Sequence, residues 1–363
     1  MKRMVRIGVI LGVVFSLAAE GKAALFRDWL YKLPITFPNY PASEPLTNFP
    51  AVLALGTQAG FDYGQFASGS NADLRFTDAS GTLELNYEIE QWNPGGTSYV
   101  WVQVPVLTNG AGIIAYWGKS GVSAPAYTTN GVTWAQDYKA VWHMCSTNDS
   151  TSNRWDFSIS GPATPAPGAV ANGYSFPMAF STGRCDGVNW SPGTQFSVSW
   201  AQYLPADGIA AIILGHGWWG VNGGFVAMAS GSGWEIGTYQ YGNNVRFYSS
   251  TTPNSVDFGQ WDYYTFTFDN GLATFYKNGW QSIYTTNGMW APSAWTWFEV
   301  WDAMGYSWST AYTAVRDEVE LSTVARSSNW VWACYMNEAS NSVFAGYSRV
   351  TDTCSPGTII IMH

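Results

Sequence analysis

One acidic side chain falls where a predicted strand turns its apolar face toward a core. Asp317 lies in the segment VRDEVELS (315–322), where period-two alternation groups it with valine and leucine. A carboxylate buried without a partner is costly, so Asp317 requires hydrogen bonds from a neighbouring loop or a cation. Calcium prefers several oxygen ligands, and Asp149, Asp156 and Asp186 occur in loop-like segments. We favour hydrogen bonding alone, with a calcium site on Asp149, Asp156 and Asp317 as the alternative.

Aromatic side chains beside glycine-rich turns suggest a surface that stacks on sugars. An exposed ring contacts the apolar face of a sugar, while polar neighbours fix the orientation. Trp218 and Trp219 are the strongest candidates, because adjacent residues on a strand cannot both face a core. The predicted ligand-binding residues are Trp218, Trp219, Trp234, Tyr239 and Tyr241, and a second aromatic group comprises Trp290, Trp295, Trp297 and Trp301. The alternative for each ring is core packing.

Catalytic motifs are scarce in this chain. Glu88 and Glu90 share one face of a predicted strand, as a pair of glycosidase carboxylates must. We interpret that face as solvated, because the alternate residues of the strand are apolar. The histidines are His143, His216 and His363, and no metalloprotease, serine-hydrolase or phosphate-loop motif is present. The sequence therefore predicts no enzyme active site.

The N-terminus has the pattern of a secretory signal peptide over residues 1–23. Basic residues precede an apolar run, and Gly21-Lys22-Ala23 is typical of a cleavage site. The run is shorter than the ~20 residues of a membrane-spanning helix, so we expect cleavage after Ala23. The mature chain is predicted to be soluble and secreted, outside the cell or at its surface, with the periplasm as the alternative.

Export makes the cysteines candidates for disulfide bonds. Four cysteines allow three pairings, and their spacing does not choose between them. We favour Cys334–Cys354, which would fasten the C-terminal end, and this leaves Cys145 to pair with Cys185. The cysteine spacing does not fit a zinc site.

Composition restricts the fold class. The 363 residues are 17% aromatic and 11% charged, with a formal net charge of −9. Disordered chains have the opposite balance of aromatic and charged residues, and the scarcity of Glu, Lys and Arg disfavours a helical bundle. The acidic charge disfavours a nucleic-acid partner. An all-β fold remains.

Alternation and turn signals divide the mature chain into two β-sandwich domains. The segment from Leu83 to Ile89 alternates apolar and polar residues, and YVWVQVPVL and AGIIAYWG repeat the pattern. A Gly/Ser/Pro/Thr-rich stretch ends near residue 135, which predicts domains at 24–135 and 136–363. One short helix is predicted at 327–338, with Ser327 or Ser328 as N-cap.

Two resemblances cover nearly the whole mature chain. From about residue 29 to 138, NFPAVLAL, ADLRFTDASGTLELNYEIEQWN, YVWVQVPVL and IIAYWGK resemble a bacterial exported β-domain of unknown function. From AVWHM onward, the chain resembles the laminin-G/concanavalin-A-like lectins, on YYTFTFDNGLATFYKNGW and DEVELSTVARSSNWVWACYMNE. The second resemblance implies a jelly-roll sandwich and binding of glycans or proteins, sometimes with calcium. The Glu-x-Asp-x-x-Glu pattern of glycosidases of that fold is absent.

These observations predict an exported, non-catalytic recognition protein that binds a glycan or a cell-surface partner through its second domain. The alternative is a structural or assembly subunit of an extracellular layer or fibre, because abundant strands suit edge-to-edge self-association. A polysaccharide-degrading enzyme ranks third, for want of a carboxylate pair in the second domain.

Overall fold

The computed structural model describes residues 23–353, except 69–70, 135–136, 178–180, 206–211, 217–223, 231–232, 240–246, 249–256, 280, 289–290, 293 and 303–312. The signal segment 1–22 and Cys354 thus lie outside the described residues. Within them the regular secondary structure is mainly antiparallel sheet, which confirms the predicted all-β class. None of the described helices has the length and apolar character needed to cross a membrane.

The first sandwich begins with six strands. They are β1 (Tyr31–Phe37), β2 (Leu46–Leu55), β3 (Arg75–Asp78), β4 (Tyr87–Gln91), β5 (Ser98–Leu107) and β6 (Ala111–Trp117). Short 3-10 helices lie at Tyr63–Gln65, Ala126–Thr128 and Val132–Trp134. One sheet contains β1, β6 and β3, and the other has the order β2-β5-β4. The strands predicted from YVWVQVPVL and AGIIAYWG are confirmed as β5 and β6.

The second sandwich comprises fifteen strands among the described residues. They are β7 (Tyr138–Trp142), β8 (Ser158–Ser160), β9 (Thr164–Pro167), β10 (Asn172–Pro177), β11 (Thr182–Trp190), β12 (Gln195–Tyr203), β13 (Ile212–His216), β14 (Gly224–Ser230), β15 (Gly233–Tyr239), β16 (Phe247–Tyr248), β17 (Trp261–Asp269), β18 (Leu272–Lys277), β19 (Gln281–Thr286), β20 (Trp295–Asp302) and β21 (Thr313–Ser322). One sheet has the order β19-β18-β17-β12-β21-β10-β9 with β7 beside β21, and the other β16-β15-β14-β13-β20-β11-β8. Trp142, Trp200 and Phe298 are buried in the core of this sandwich.

The C-terminal segment returns to the first sandwich. Its elements are α1 (Ser328–Ala339), α2 (Asn341–Phe344), β22 (Gly346–Tyr347) and β23 (Thr351–Asp352). Both short strands pair with β1. The helix α1 confirms the predicted helix, and its N-cap is Ser327, whose hydroxyl accepts a hydrogen bond from the Trp330 backbone. The first sandwich therefore draws on both ends of the chain, whereas the predicted boundary near residue 135 falls on residues that are not described.

One hydrophobic cluster is continuous from the first sandwich to the outer face of the β12–β21 sheet. It joins Trp101 and Trp134 to Tyr138 and Val141 on β7 and to Tyr263 on β17. We call this buried contact region the junction. It shields the polar residues of β4 and β21 from water and positions the site described next.

Candidate functional site at the junction of the two sandwiches

Three ionisable side chains from distant parts of the chain meet in the junction. Glu90 is on β4, His143 directly follows β7, and Glu318 is on β21. His143 Nδ1 lies 2.8 Å from Glu318 Oε2 and 3.9 Å from Glu90 Oε2. The imidazole is 4% exposed and both carboxylates are 0% exposed. We call these three residues the junction cluster.

A β-bulge places Glu90 in the junction cluster. Along β4, Ile89 pairs with Val100 and Gln91 pairs with Tyr99, so Glu90 is one extra residue on its strand. A bulge re-aims the side chain of the extra residue and bends the strand. It brings the carboxylate of Glu90 out of the simple alternation and into the junction.

A second bulge places Glu318. Between the pairs Glu320–Ser199 and Asp317–Ala201, β21 has two residues and β12 has one. Glu318 adopts a φ of 46°, in the left-handed region. For a residue with a Cβ that conformation costs roughly 1–2 kcal/mol. Such strain is typical of functional sites, where the surrounding structure holds an unfavourable backbone in place.

The bulge at Glu318 overturns the predicted alternation of β21. Val319 lies in the core of the second sandwich, and Arg316 donates a hydrogen bond to the Val300 carbonyl at 3.0 Å. Arg316 rather than Asp317 therefore points into that core, and the predicted grouping of Asp317 with the apolar residues is wrong. Asp317 is fully buried and accepts a hydrogen bond from the backbone of the loop residue Val170 at 2.9 Å.

Two tryptophan rings enclose the imidazole of His143. The ring centroids of Trp101 and Trp134 lie 5.2 Å and 5.3 Å from that of His143. The Trp101 indole donates to Glu90 Oε2 at 2.8 Å, and the Trp134 indole donates to Glu88 Oε2 at 2.6 Å. The rings exclude water, and their N–H groups hold two carboxylates in fixed positions.

The predicted solvated face of Glu88 and Glu90 is wrong. Glu90 is completely buried at its side chain, and both oxygens of Glu88 are engaged, the second by the Ser150 hydroxyl at 2.7 Å. The strand pattern was typical of a half-exposed strand because apolar residues occupied its other face. The second sandwich covers the acidic face, and the alternation of residues within one strand does not predict such a contact.

The junction holds more carboxyl groups than its few cations balance. Burial raises the pKa of Glu90 to about 6 and that of Glu320 to about 7. Burial and the nearby carboxylates raise the pKa values of Asp317, Glu318 and Glu338 well above their usual range. Negative charge is therefore unfavourable here unless a proton or a cation compensates it.

Each residue of the junction cluster also has a buried polar atom without a hydrogen-bond partner. These atoms are Glu90 Oε1, Glu318 Oε1 and His143 Nε2. Buried polar atoms are almost always satisfied in folded proteins, and leaving one unmade costs about 1–3 kcal/mol. The cluster has unused capacity for a ligand.

The predicted aspartates are distributed differently. Asp149 is fully buried, and its Oδ1 accepts hydrogen bonds from the backbone of Val141 and Thr151. Asp156 accepts from the Asp149 backbone at 2.8 Å. Among the described residues, the only group of three or more His, Cys, Asp or Glu side chains arranged for a metal is the junction cluster, and Asp149, Asp156 and Asp317 form no such group. Calcium binding by those residues stays a prediction.

The five predicted ligand-binding aromatics are not placed by the structure. Trp218, Trp219 and Tyr241 lie outside the described residues, and Trp234 and Tyr239 are on β15 with side chains that are not described. In the second aromatic group, Trp295 is buried in the core and Trp297 is half-buried. The side chains of Trp290 and Trp301 are likewise not described.

Trp297 belongs to a polar and aromatic array on the outer face of the second sandwich. In the pairing of β11 with β20, Arg184 lies opposite Glu299 and Asp186 opposite Trp297. The Arg184 guanidinium lies 4.4 Å from the Trp297 ring centroid, 2.7 Å from Asp186 and 3.9 Å from Glu299. The Arg184 and Asp186 side chains are 40% and 69% exposed. We call Arg184, Asp186, Trp297 and Glu299 the outer-face array.

Comparison with known families finds a match over part of the chain. Residues 70–156 match a family described as Domain of unknown function (DUF2341). This range contains Glu90 and His143, and it overlaps the expected N-terminal domain of unknown function. No curated protein matches the chain.

Several solved structures are similar to just over half of the chain. Domain 4 of AbnA, an extracellular GH43 arabinanase from Geobacillus stearothermophilus solved with arabinotriose, is 17% identical, with a TM-score of 0.44, over 54% of this chain and 98% of that domain. The binding domain of botulinum neurotoxin serotype G is 12% identical, with a TM-score of 0.43, over 55% of this chain and 50% of that one. A structure of botulinum neurotoxin type C, a toxin whose cell entry depends on interaction with two ganglioside molecules, is 10% identical. Its TM-score is 0.44 over 56% of this chain and 51% of that one. The chain spans about half the length of the neurotoxin chains.

The predicted Cys145–Cys185 disulfide is wrong. Both residues are free thiols, as is Cys334, whose expected partner Cys354 is not described. Cys185 belongs to the core of the second sandwich, whereas Cys145 lies near the carboxylates of the junction. Burial raises the pKa of each of these two thiols to about 12, so neither is a reactive thiolate at neutral pH.

Sequence reasoning missed the junction cluster. Its signal was the pairing of acids two residues apart on two strands, 88 with 90 and 318 with 320, in a chain with few charges. His143, next to a strand rich in buried residues, was the third indication. Only the docking of the sandwiches brings the three together.

Proposed function

We propose that this chain is an exported, non-catalytic recognition protein whose second sandwich binds a glycan. The outer-face array carries the proposal. It combines an aromatic ring, a guanidinium and a carboxylate on two paired strands, with Arg184 and Asp186 open to solvent. Aromatic surface and a few placed polar groups are the elements with which proteins bind sugars.

Charge balance in the array favours a neutral glycan. The Arg184 guanidinium is engaged by Asp186 at 2.7 Å and by Glu299 at 3.9 Å. Its positive charge is therefore offset, and an acidic sugar would meet two carboxylates. Hydroxyl groups of a neutral sugar find acceptors in the carboxylates and donors in the guanidinium.

Burial of the junction cluster supports the non-catalytic part of the proposal. Its three side chains are 0–4% exposed, so a polysaccharide does not reach them in this arrangement. The signal-like residues 1–23 support export.

Glycan binding by the mature chain tests the proposed function. A glycan array identifies a ligand, and calorimetry with that ligand compares wild-type protein with Trp297→Ala and Asp186→Asn. We expect each variant to weaken binding about tenfold, the equivalent of one stacked ring or one strong hydrogen bond. Asp186→Asn alters an exposed side chain and preserves the fold.

Trp155→Ala is the matched control, because Trp155 is also a half-buried ring beneath a cation, with Lys139 Nζ 5.8 Å from its centroid. It is expected to retain affinity. Binding that is unaffected by the Trp297 and Asp186 substitutions would remove the outer-face array from the proposal. No binding to any neutral glycan would overturn the proposed function.

A further inference from the structure

The junction cluster has the donor atoms and spacing of a metal site. One ligand atom from each of Glu90, His143 and Glu318 lies within 4.8 Å of the other two. Zinc binds imidazole nitrogen and carboxylate oxygen at about 2.0–2.2 Å, which separates two ligands of one ion by roughly 3–4 Å. The distances of 2.8 and 3.9 Å from His143 Nδ1 to the two carboxylates are close to that range.

The unpartnered atoms give an independent indication of a ligand. Glu90 Oε1, Glu318 Oε1 and His143 Nε2 are buried and lack hydrogen-bond partners, and all three belong to the cluster. A chance gathering of acids at a surface would satisfy such atoms with water. Inside the junction, where the side chains are 0–4% exposed, they require another compensating group.

We propose that the junction cluster binds a divalent transition-metal ion, best matched by Zn²⁺, through Glu90, His143 and Glu318. One imidazole and two carboxylates form a donor set that suits zinc, whereas calcium takes six to eight oxygen ligands. This site is distinct from the calcium site predicted from Asp149, Asp156 and Asp317.

The surroundings of the cluster resemble the outer shell of a metal centre. The Trp101 indole donates to Glu90 Oε2 and thereby orients the carboxylate. Bulges at Glu90 and Glu318 bring both acids toward one imidazole. Groups that orient the ligands in this way typically change metal affinity by 10–100-fold when removed.

The proposed ion would join the two sandwiches. Glu90 belongs to the first sandwich, and His143 and Glu318 belong to the second. Binding energy for the ion would therefore add to the energy that holds the sandwiches together. This role is independent of the outer-face array and of the proposed glycan.

Metal content and thermal stability of the full mature chain test the proposal. Metal analysis by mass spectrometry gives the bound ion, and Zn²⁺ titration against a competing chelator gives the affinity, with Mn²⁺ and Ca²⁺ as comparison ions. Glu90→Gln and Glu318→Gln remove a ligand charge with little change in shape, and the amide carbonyl introduced at position 90 would still accept from Trp101. Glu338→Gln is the control, because Glu338 is also a buried junction acid and lies outside the cluster.

We expect about one equivalent of Zn²⁺ in the wild type and in Glu338→Gln, and a melting temperature that falls on chelation. Each ligand variant should lose more than about 100-fold in affinity and show no response to chelator. The proposal is overturned if wild-type protein binds neither Zn²⁺ nor Mn²⁺, or binds Ca²⁺ alone. A Zn²⁺ affinity equal in all four proteins would also overturn it. A melting temperature that rises in Glu90→Gln and is independent of metal throughout would instead identify a cluster that shares protons.

Discussion

The Asn337 side chain fastens the C-terminal helix to the first sandwich, and Asn337→Ala tests how much that contact contributes. The side chain is 1% exposed. The Val52 backbone N–H donates to Asn337 Oδ1 at 2.9 Å, and Asn337 Nδ2 donates to the Pro50 carbonyl at 3.1 Å. Alanine would leave one buried donor and one buried acceptor on β2 without partners. At about 1–3 kcal/mol for each of the two groups, the expected loss in the free energy of unfolding is about 2–6 kcal/mol.

Urea unfolding followed by tryptophan fluorescence measures this loss, because Trp330 and Trp332 on α1 belong to the cluster that would be exposed. Asn329→Ala on the same helix is the control, since its amide bonds the Glu44 carboxylate at the surface. We expect the control to change stability by less than about 0.5 kcal/mol. Equal effects of the two substitutions, or a loss below about 1 kcal/mol for Asn337→Ala, would refute the view that α1 is an integral part of the first sandwich.

Two further predictions concern backbone fit and pH. Gly131 has a φ of +85°, and an added Cβ would lie 2.3 Å from a backbone nitrogen, whereas Gly121 has a φ of +73° in open space. Gly131→Ala should therefore lower the free energy of unfolding, measured in urea, by at least about 1 kcal/mol more than Gly121→Ala does. Burial, followed by the charges of Glu318, Glu320, Asp317 and Glu90, raises the pKa of Glu338 above its usual 4.5. Its neutral form favours folding below that value and the benefit disappears as pH rises, so Glu338→Gln should stabilise the protein at pH 7 and not at pH 4. A stabilisation that is equal at both pH values would contradict this reasoning.

Composition predicted the all-β class, period-two alternation predicted strands β5 and β6, and helix-start signals predicted the helix with Ser327 or Ser328 as its cap. Those features depend on residues close in sequence, where backbone geometry and side-chain pattern coincide. Alternation failed at Asp317, because the extra residue at Glu318 puts the residues before it on the opposite face from the one that Val319 and Leu321 predict. Bulges with a left-handed residue usually contain glycine at that position, so the glutamate at 318 did not indicate a bulge.

The disulfide and the solvated acidic face failed for a related reason. Each depended on which surfaces meet after two sandwiches dock, and that information is spread over residues far apart in the chain. Glu90 and Glu318 are 228 positions apart by their numbers, yet both approach one imidazole. The low charge content was the available clue. In a chain that is 11% charged, acids spaced two residues apart on apolar strands are unusual and indicate a functional cluster.

Burial of the junction acids is difficult to explain by stability alone. Well-packed apolar residues often stabilise a protein as much as a buried ionic group does, and here the acids also require a left-handed backbone at Glu318. The unpartnered atoms add a further cost. A divalent ion would offset the charge of both carboxylates at one point, bound by one nitrogen of the imidazole and one oxygen of each acid. Its ligands come from β4, from the residue after β7 and from β21, so the complete site forms only when the second sandwich has folded and docked. The proposed metal would therefore favour the docked arrangement over the separate sandwiches, and its removal should loosen the junction before either hydrophobic core unfolds.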